Sequence, residues 1–196
     1  MASINQQFNH MNLVGVNIDS RQLERARQQV QAAEGNQIKF VKADACQLPF
    51  EKDSFDVVLA SECIFHFPSR ERFFQEAKRV LRPGGRLVIS DFVPVEILAP
   101  FVKFWHFSGL NTRLFGKVNT SYTLADYQQL GRESGFVPVQ EQDITVNTLP
   151  TYPFIGQLLR GTMRPDLEAE FNLINKWMEW VSSQGLLRYM ILSMST

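Results

Sequence analysis

The side chains able to do chemistry collect in residues 38–92, which read IKFVKADACQLPFEKDSFDVVLASECIFHFPSRERFFQEAKRVLRPGGRLVISDF. Asp44 follows one apolar run, Ser61 and Glu62 follow a second, and Ser90 and Asp91 close a third. In an open parallel sheet a ligand lies outside the carboxyl ends of the strands, so polar residues just past apolar strands are candidates for a site. His66, a little beyond Glu62, is the candidate base. An imidazole oriented by a carboxylate takes a hydroxyl proton near neutral pH, and Asp91 at the end of the neighbouring strand is the candidate carboxylate. Plainer uses exist for each: a loop histidine, a capping aspartate, an Asx turn at Asp44, a surface ion pair at Glu62.

Elements that would position these residues follow from the pattern. Ile4 and Phe8, one turn apart, mark the end of a helix over residues 1–10. MNLVGVNI (11–18) reads as a strand, with Gly15 leaving room for another backbone to approach. Asp19 starts a helix, Gln22 can complete a capping box, and Gly35 suits the helix end. IKFV (38–41) is the next strand. FDVVLA (55–60) is nearly continuous in apolar residues, as expected of a strand covered on both faces. Ser69 can cap a helix whose Phe73, Ala77, Val80 and Leu81 share a face, Pro83-Gly84-Gly85 stops it, and RLVIS (86–90) is a further strand. This alternation predicts an α/β fold, a doubly wound, mostly parallel sheet.

Residues 93–116 change character and read as an aromatic-rich helical segment over the carboxyl edge of the sheet. Phe101, Phe104, Trp105, His106 and Phe107 could wall an apolar pocket, although helical spacing assigns most of them, with Trp177 and Trp180, to the core. Thr123 and Asp126 open a short helix ending at Gly135, 136–146 is a strand, 152–184 is mostly helical, and LLRYMILS (186–193) returns antiparallel.

Composition bounds the partners. Lys+Arg and Asp+Glu both total 20, so no bulk field draws the chain to nucleic acid or anionic lipid. No apolar run approaches the ~18 residues of a membrane span, and MASINQQFNH lacks the apolar core of a secretory leader. Cys46 and Cys63 form neither a disulfide nor a metal-ligand framework, so a reducing, cytoplasmic setting is the simplest reading. The sequence says nothing of oligomeric state.

Four passages together resemble the class I S-adenosylmethionine-dependent methyltransferases, in the small-molecule branch: LVGVNIDSRQLERAR, VKADACQLPFEKDSFDVV, EAKRVLRPGGRLVISDF and GLLRYMILS. The resemblance implies a Rossmann-like single domain over 1–196, with a cofactor-binding half (1–92), a substrate-side lid and helical insertions (93–184) and a terminal antiparallel strand (185–196). It implies S-adenosyl-L-methionine as cofactor and methyl transfer to an oxygen or carbon of a small apolar molecule. By position it assigns the ribose hydroxyls to Asn17, where the family carries an acidic residue that Asp19 could replace, and adenine packing to Ile18. Asp44 would meet the adenine amino group, the Ala45 N–H the ring, Leu48 the base, and Ser61 and Glu62 the methionine part. His66 and Asp91 match a base pair found in related small-molecule O-methyltransferases.

One departure stands out. A D-x-G-x-G-x-G-type turn, where the backbone must approach the cofactor closely, is absent, as is the strand before it. The reading is therefore of an N-terminally truncated methyltransferase domain. In the family the missing strand lies at the sheet centre, so its neighbours either lose a partner or close the gap by pairing directly. A non-catalytic module acting through partner binding is the rival reading.

Overall fold

In the computed structural model, which describes residues 1–33, 35–102, 114 and 116–196, the chain divides into two compact units, Met1–Glu51 and Lys52–Thr196.

In the first unit, helix α1 (Ala2–Gln7) precedes strand β1 (Asn12–Asn17), helix α2 (Ser20–Gln29) and strand β2 (Gln37–Lys42). β1 and β2 are parallel, with Asn12 opposite Gln37 and Asn17 opposite Lys42. Asp19 caps α2 by accepting the Arg21 N–H at 2.8 Å, so the expected capping box with Gln22 is not what opens this helix. α2 ends at Gln29, earlier than expected, because Val30 is already extended; Gly35 serves a later turn with φ +81°. A side chain at Gly15 would put its Cβ 2.8 Å from both the Met1 and Phe40 side chains. The space is thus filled by side chains rather than by an approaching backbone. Buried Asn36 ties the unit together, donating to the Asn5 and Phe8 carbonyls at 3.0 and 2.7 Å while accepting the Met11 N–H.

The second unit carries a four-stranded sheet in the order β3-β4-β6-β5. Strands β3 (Phe55–Ser61) and β4 (Leu81–Pro94) are parallel; β6 (Leu187–Ser195) runs antiparallel to both β4 and β5 (Val137–Asp143). The helices are α3 (Arg70–Val80), α4 (Leu124–Glu133), α5 (Thr145–Thr148), α6 (Thr151–Leu158) and α7 (Pro165–Ser183). Ser69 caps α3, and Thr123 with Asp126 forms a capping box on α4. Gly84 (φ +79°) and Gly85 turn the chain after α3, and a Cβ at Gly85 would lie 2.8 Å from the Arg82 carbonyl oxygen. α5 replaces the end of the strand expected to reach residue 146.

Alternation along β4 decides where the core lies. Leu87, Ile89, Asp91 and Val93 share one face with Met190, Leu192 and Met194 of β6. All are buried, together with Phe74, Ala77 and Val80 of α3 and Tyr127 and Leu130 of α4. Ser90, Phe92 and Pro94 take the opposite face with Leu187, Tyr189 and Ile191. β3 departs from expectation. Val57 and Leu59 are 54% and 52% exposed, so this apolar run is buried on one face only. Among the described residues, β1 and β2 form the sheet of the first unit, and β3 is an edge strand of the second unit's sheet, beside β4. The fold is nonetheless the α/β class expected, mostly parallel with an antiparallel terminal strand.

Candidate active site

Parallel pairing of β1 and β2 brings Asn17 and the turn after Lys42 to one end of the first unit. Asn17 Oδ1 accepts the Asp19 N–H at 2.9 Å. Asp19 itself is engaged by Arg21 through its backbone and guanidinium, which holds the carboxyl below its ordinary value. Asp44 Oδ1 accepts the Cys46 N–H at 2.8 Å, the Asx turn in fact, and among the described residues no partner holds Oδ2. Ala45 and Leu48 are half-buried in the same turn, and Ile18 is 68% exposed beside Asn17. A carboxylate oxygen, an amide and an exposed branched apolar side chain at one strand end fit the edge of a purine nucleoside, which asks for an acceptor, a ribose partner and an apolar surface.

In the second unit the strand ends carry a polar chain. Ser61 Oγ lies 3.0 Å from Ser90 Oγ, Ser90 Oγ lies 3.2 Å from the Tyr189 hydroxyl, and that hydroxyl donates to Glu62 Oε1 at 2.5 Å. Glu62 has φ +50°, a conformation that costs a non-glycine residue about 1–3 kcal/mol and that recurs at functional sites. Its N–H bonds the Ser90 carbonyl, which fixes the turn out of β3. Burial, followed by the bond to Glu62, pushes the Tyr189 hydroxyl well above its ordinary pKa, so it stays a donor.

Beside this chain opens a cavity of about 520 Å³ contained in the second unit. Phe65, Phe92, Val102, Ile155, Phe171 and Met178 supply apolar wall, while Glu62, His66, Tyr152, Asn175 and Tyr189 supply the polar groups. That size and mixture suit a small, largely apolar ligand held by a few fixed polar contacts. His66 Nδ1 lies 3.4 Å from the Lys117 carbonyl oxygen. A ring nitrogen facing a carbonyl bonds it by carrying the proton, which leaves Nε2 its lone pair. Trp177 also lines the cavity and is 44% exposed, and Trp180 is 58% exposed; neither is core as expected. Phe101 is 70% exposed, while Phe104, Trp105, His106 and Phe107 lie outside the described residues.

Asp91 is not hydrogen-bonded to His66. Strand alternation explains why: Phe92 and Pro94 line the cavity, so Asp91 points to the other face of β4. There it is 1% exposed, accepts the Phe92 N–H at 2.8 Å and the Tyr127 hydroxyl, and pairs with Arg70 Nη2 at 3.3 Å. Burial raises its pKa despite these partners, and also pushes the neighbouring Cys63 thiol up to about 11, so that thiol is inert. Arg70, Tyr127 and Tyr189 are the residues that sequence reasoning missed. Arg70 had a signal, since it occupies the helical position that Phe74 and Ala77 repeat on the buried face of α3.

Comparison with known proteins places the chain. Residues 1–89 match the model of a methyltransferase domain. The chain is 31% identical, over 94% of its length, to 27-O-demethylrifamycin SV methyltransferase of Amycolatopsis mediterranei, and spans 69% of that protein. It is 33% identical over 74% of its length to (+)-O-methylkolavelool synthase of Herpetosiphon aurantiacus, of which it spans about half (48%). The fold is shared with a mycolic acid cyclopropane synthase solved in complex with SAH and CTAB: TM-score 0.79 and 15% identity, over 94% of this chain and 70% of that one.

Proposed function

The chain belongs to the class I S-adenosylmethionine-dependent methyltransferases, and on that premise we propose that it methylates a hydroxyl oxygen of a small, largely apolar molecule. The observation that carries this reading is the apolar cavity at the carboxyl ends of β3 and β4, with His66 in its wall. Relatives include O-methylating enzymes and sterol 24-C-methyltransferases alike, so the choice of oxygen rests on His66 as a base beside the acceptor.

The family resemblance assigns Asn17, Ile18, Asp44, Ala45 and Leu48 to the adenosyl part and Ser61 and Glu62 to the methionine part. S-adenosylmethionine held by these residues would supply a methyl on a sulfonium, with a neutral thioether as the leaving group. The protein's own work is alignment and proton removal. Apolar walls orient the acceptor and exclude water. His66 Nε2 takes the proton that the acceptor oxygen gives up. Asp91 supports this site from the far face of β4 rather than by touching the imidazole.

The test is transfer of label from methyl-labelled S-adenosylmethionine to a panel of hydroxylated apolar acceptors. Replacing His66 by Ala should lower kcat by about 10²–10⁴-fold with donor affinity unchanged by calorimetry. Full activity in H66A would remove the base.

A further inference from the structure

The guanidinium of Arg70 sits where four things meet. Its Nε donates to the Tyr127 hydroxyl at 2.9 Å, and its Nη2 reaches Asp91 at 3.3 Å and the Asn119 carbonyl oxygen at 2.5 Å. Its carbon centre lies 4.1 Å from the centroid of the Tyr122 ring. The side chain is 2% exposed. A buried arginine pairs with carboxylates to satisfy its charge, but the Asn119 contact has a different consequence, because Asn119 belongs to the strap that walls the cavity.

Residues 117–121 form that strap. The Asn119 N–H donates to the Phe65 carbonyl at 2.7 Å, while Asn119 Oδ1 accepts from Ser121 N–H and Oγ and so turns the chain inward. Val118 and Thr120, flanking the held residue, line the cavity. Lys117, one step further, presents its carbonyl to His66 Nδ1. The Asn119 carbonyl held by Arg70 thus lies in the segment that supplies both the cavity wall and the carbonyl facing His66 Nδ1.

We propose that Arg70, held by Asp91 and Tyr127, is a positioning residue that orients His66 through the 117–121 strap. Asp91 thus acts on His66 at one remove: the carboxylate fixes the guanidinium, the guanidinium fixes the Asn119 carbonyl, and the strap presents the Lys117 carbonyl to the ring. The catalytic half of the inference rests on the proposed base role of His66; the structural half does not.

Nitrogen-detected NMR on the full chain with labelled histidine separates the two. His66 is assigned by its loss in His66→Gln. The wild type should show His66 with the proton on Nδ1. Arg70→Lys, which keeps the charge but loses the fork, and the double variant Arg70→Met/Asp91→Asn, which removes both charges, should move it toward the mixture of a free imidazole. If transfer is measurable, kcat should fall about tenfold to a hundredfold while donor affinity holds, a split that general destabilisation does not give. A wild-type His66 protonated on Nε2 would overturn the proposal, as would an unchanged tautomer in the folded variants. A tautomer that responds in a protein without methyl transfer would uphold the strap and sink the enzymatic reading instead.

Discussion

Replacing Arg70 by Met removes one charge from a pair whose side chains are 2% and 1% exposed. Met retains most of the aliphatic stem, so the change is chiefly the lost guanidinium. At 3.3 Å and an effective dielectric of about 20, the attraction is roughly 5 kcal/mol. Desolvation offsets part of this, and breaking a buried pair from one side costs about 3–5 kcal/mol. Asp91 keeps the Tyr127 hydroxyl and the Phe92 N–H, which places the expected loss near the lower figure, about 3 kcal/mol. The sign of the pH dependence follows. Burial raises the folded-state pKa of Asp91 above 3.8, so the folded protein binds the proton more tightly than the unfolded chain. The contribution of Asp91 is therefore fully present in acid, below its unfolded pKa, and is lost as pH rises through its folded pKa. Removing Arg70 raises that pKa further, so the deficit of R70M should be small in acid and grow toward neutral pH. Urea unfolding followed by circular dichroism across that range reads it directly. A neutral-pH deficit below about 1 kcal/mol, the size of an exposed pair, would refute the reasoning, as would a deficit that shrinks as pH rises. The double variant R70M/D91N should recover part of the loss, because no charge is then stranded.

Asp44→Asn keeps an oxygen for the Cys46 N–H, and hence the turn, but removes the carboxylate; titration calorimetry should show S-adenosylmethionine binding weakened by roughly tenfold or more. Equal affinity would take Asp44 out of the site. Thr123→Ala removes one half of a capping box with both hydrogen bonds formed, and thermal or urea unfolding should report a loss of about 1 kcal/mol without any change in donor binding.

Much of the fold was legible because apolar runs bounded by turn residues sit where strands form: 12–17, 37–42, 55–61 and 187–195 each fall on or within two residues of the run read from the sequence. What the pattern could not carry was the identity of neighbours. Gly15 announced a tight approach, yet the atoms that approach belong to Met1 and Phe40. The run FDVVLA announced burial on both faces, but Val57 and Leu59 on one of them are more than half exposed. Leu173, Trp177 and Trp180 share one stripe of α7; helical spacing groups them without saying whether the stripe meets core, cavity or solvent.

The site divides along the same line. Residues at strand ends could be named, since topology alone sends them to the carboxyl edge. Their partners could not, and Asp91 shows why. Its place at the end of a strand next to that of His66 argued for a shared cleft, but its parity with Leu87, Ile89 and Val93 argued for the helix-covered face, and parity prevailed. A carboxylate on that face needs a buried cation, and α3 offers one in step with its apolar stripe: Arg70, spaced with Phe74 and Ala77. Read together, an acid in the apolar register of a strand and an arginine in the apolar register of the preceding helix predict a buried pair before any coordinates exist. The strap does not follow from either pattern, because a backbone carbonyl accepts a bond whatever side chain it carries, and Asn119 leaves no periodic trace of the contact that links this pair to His66.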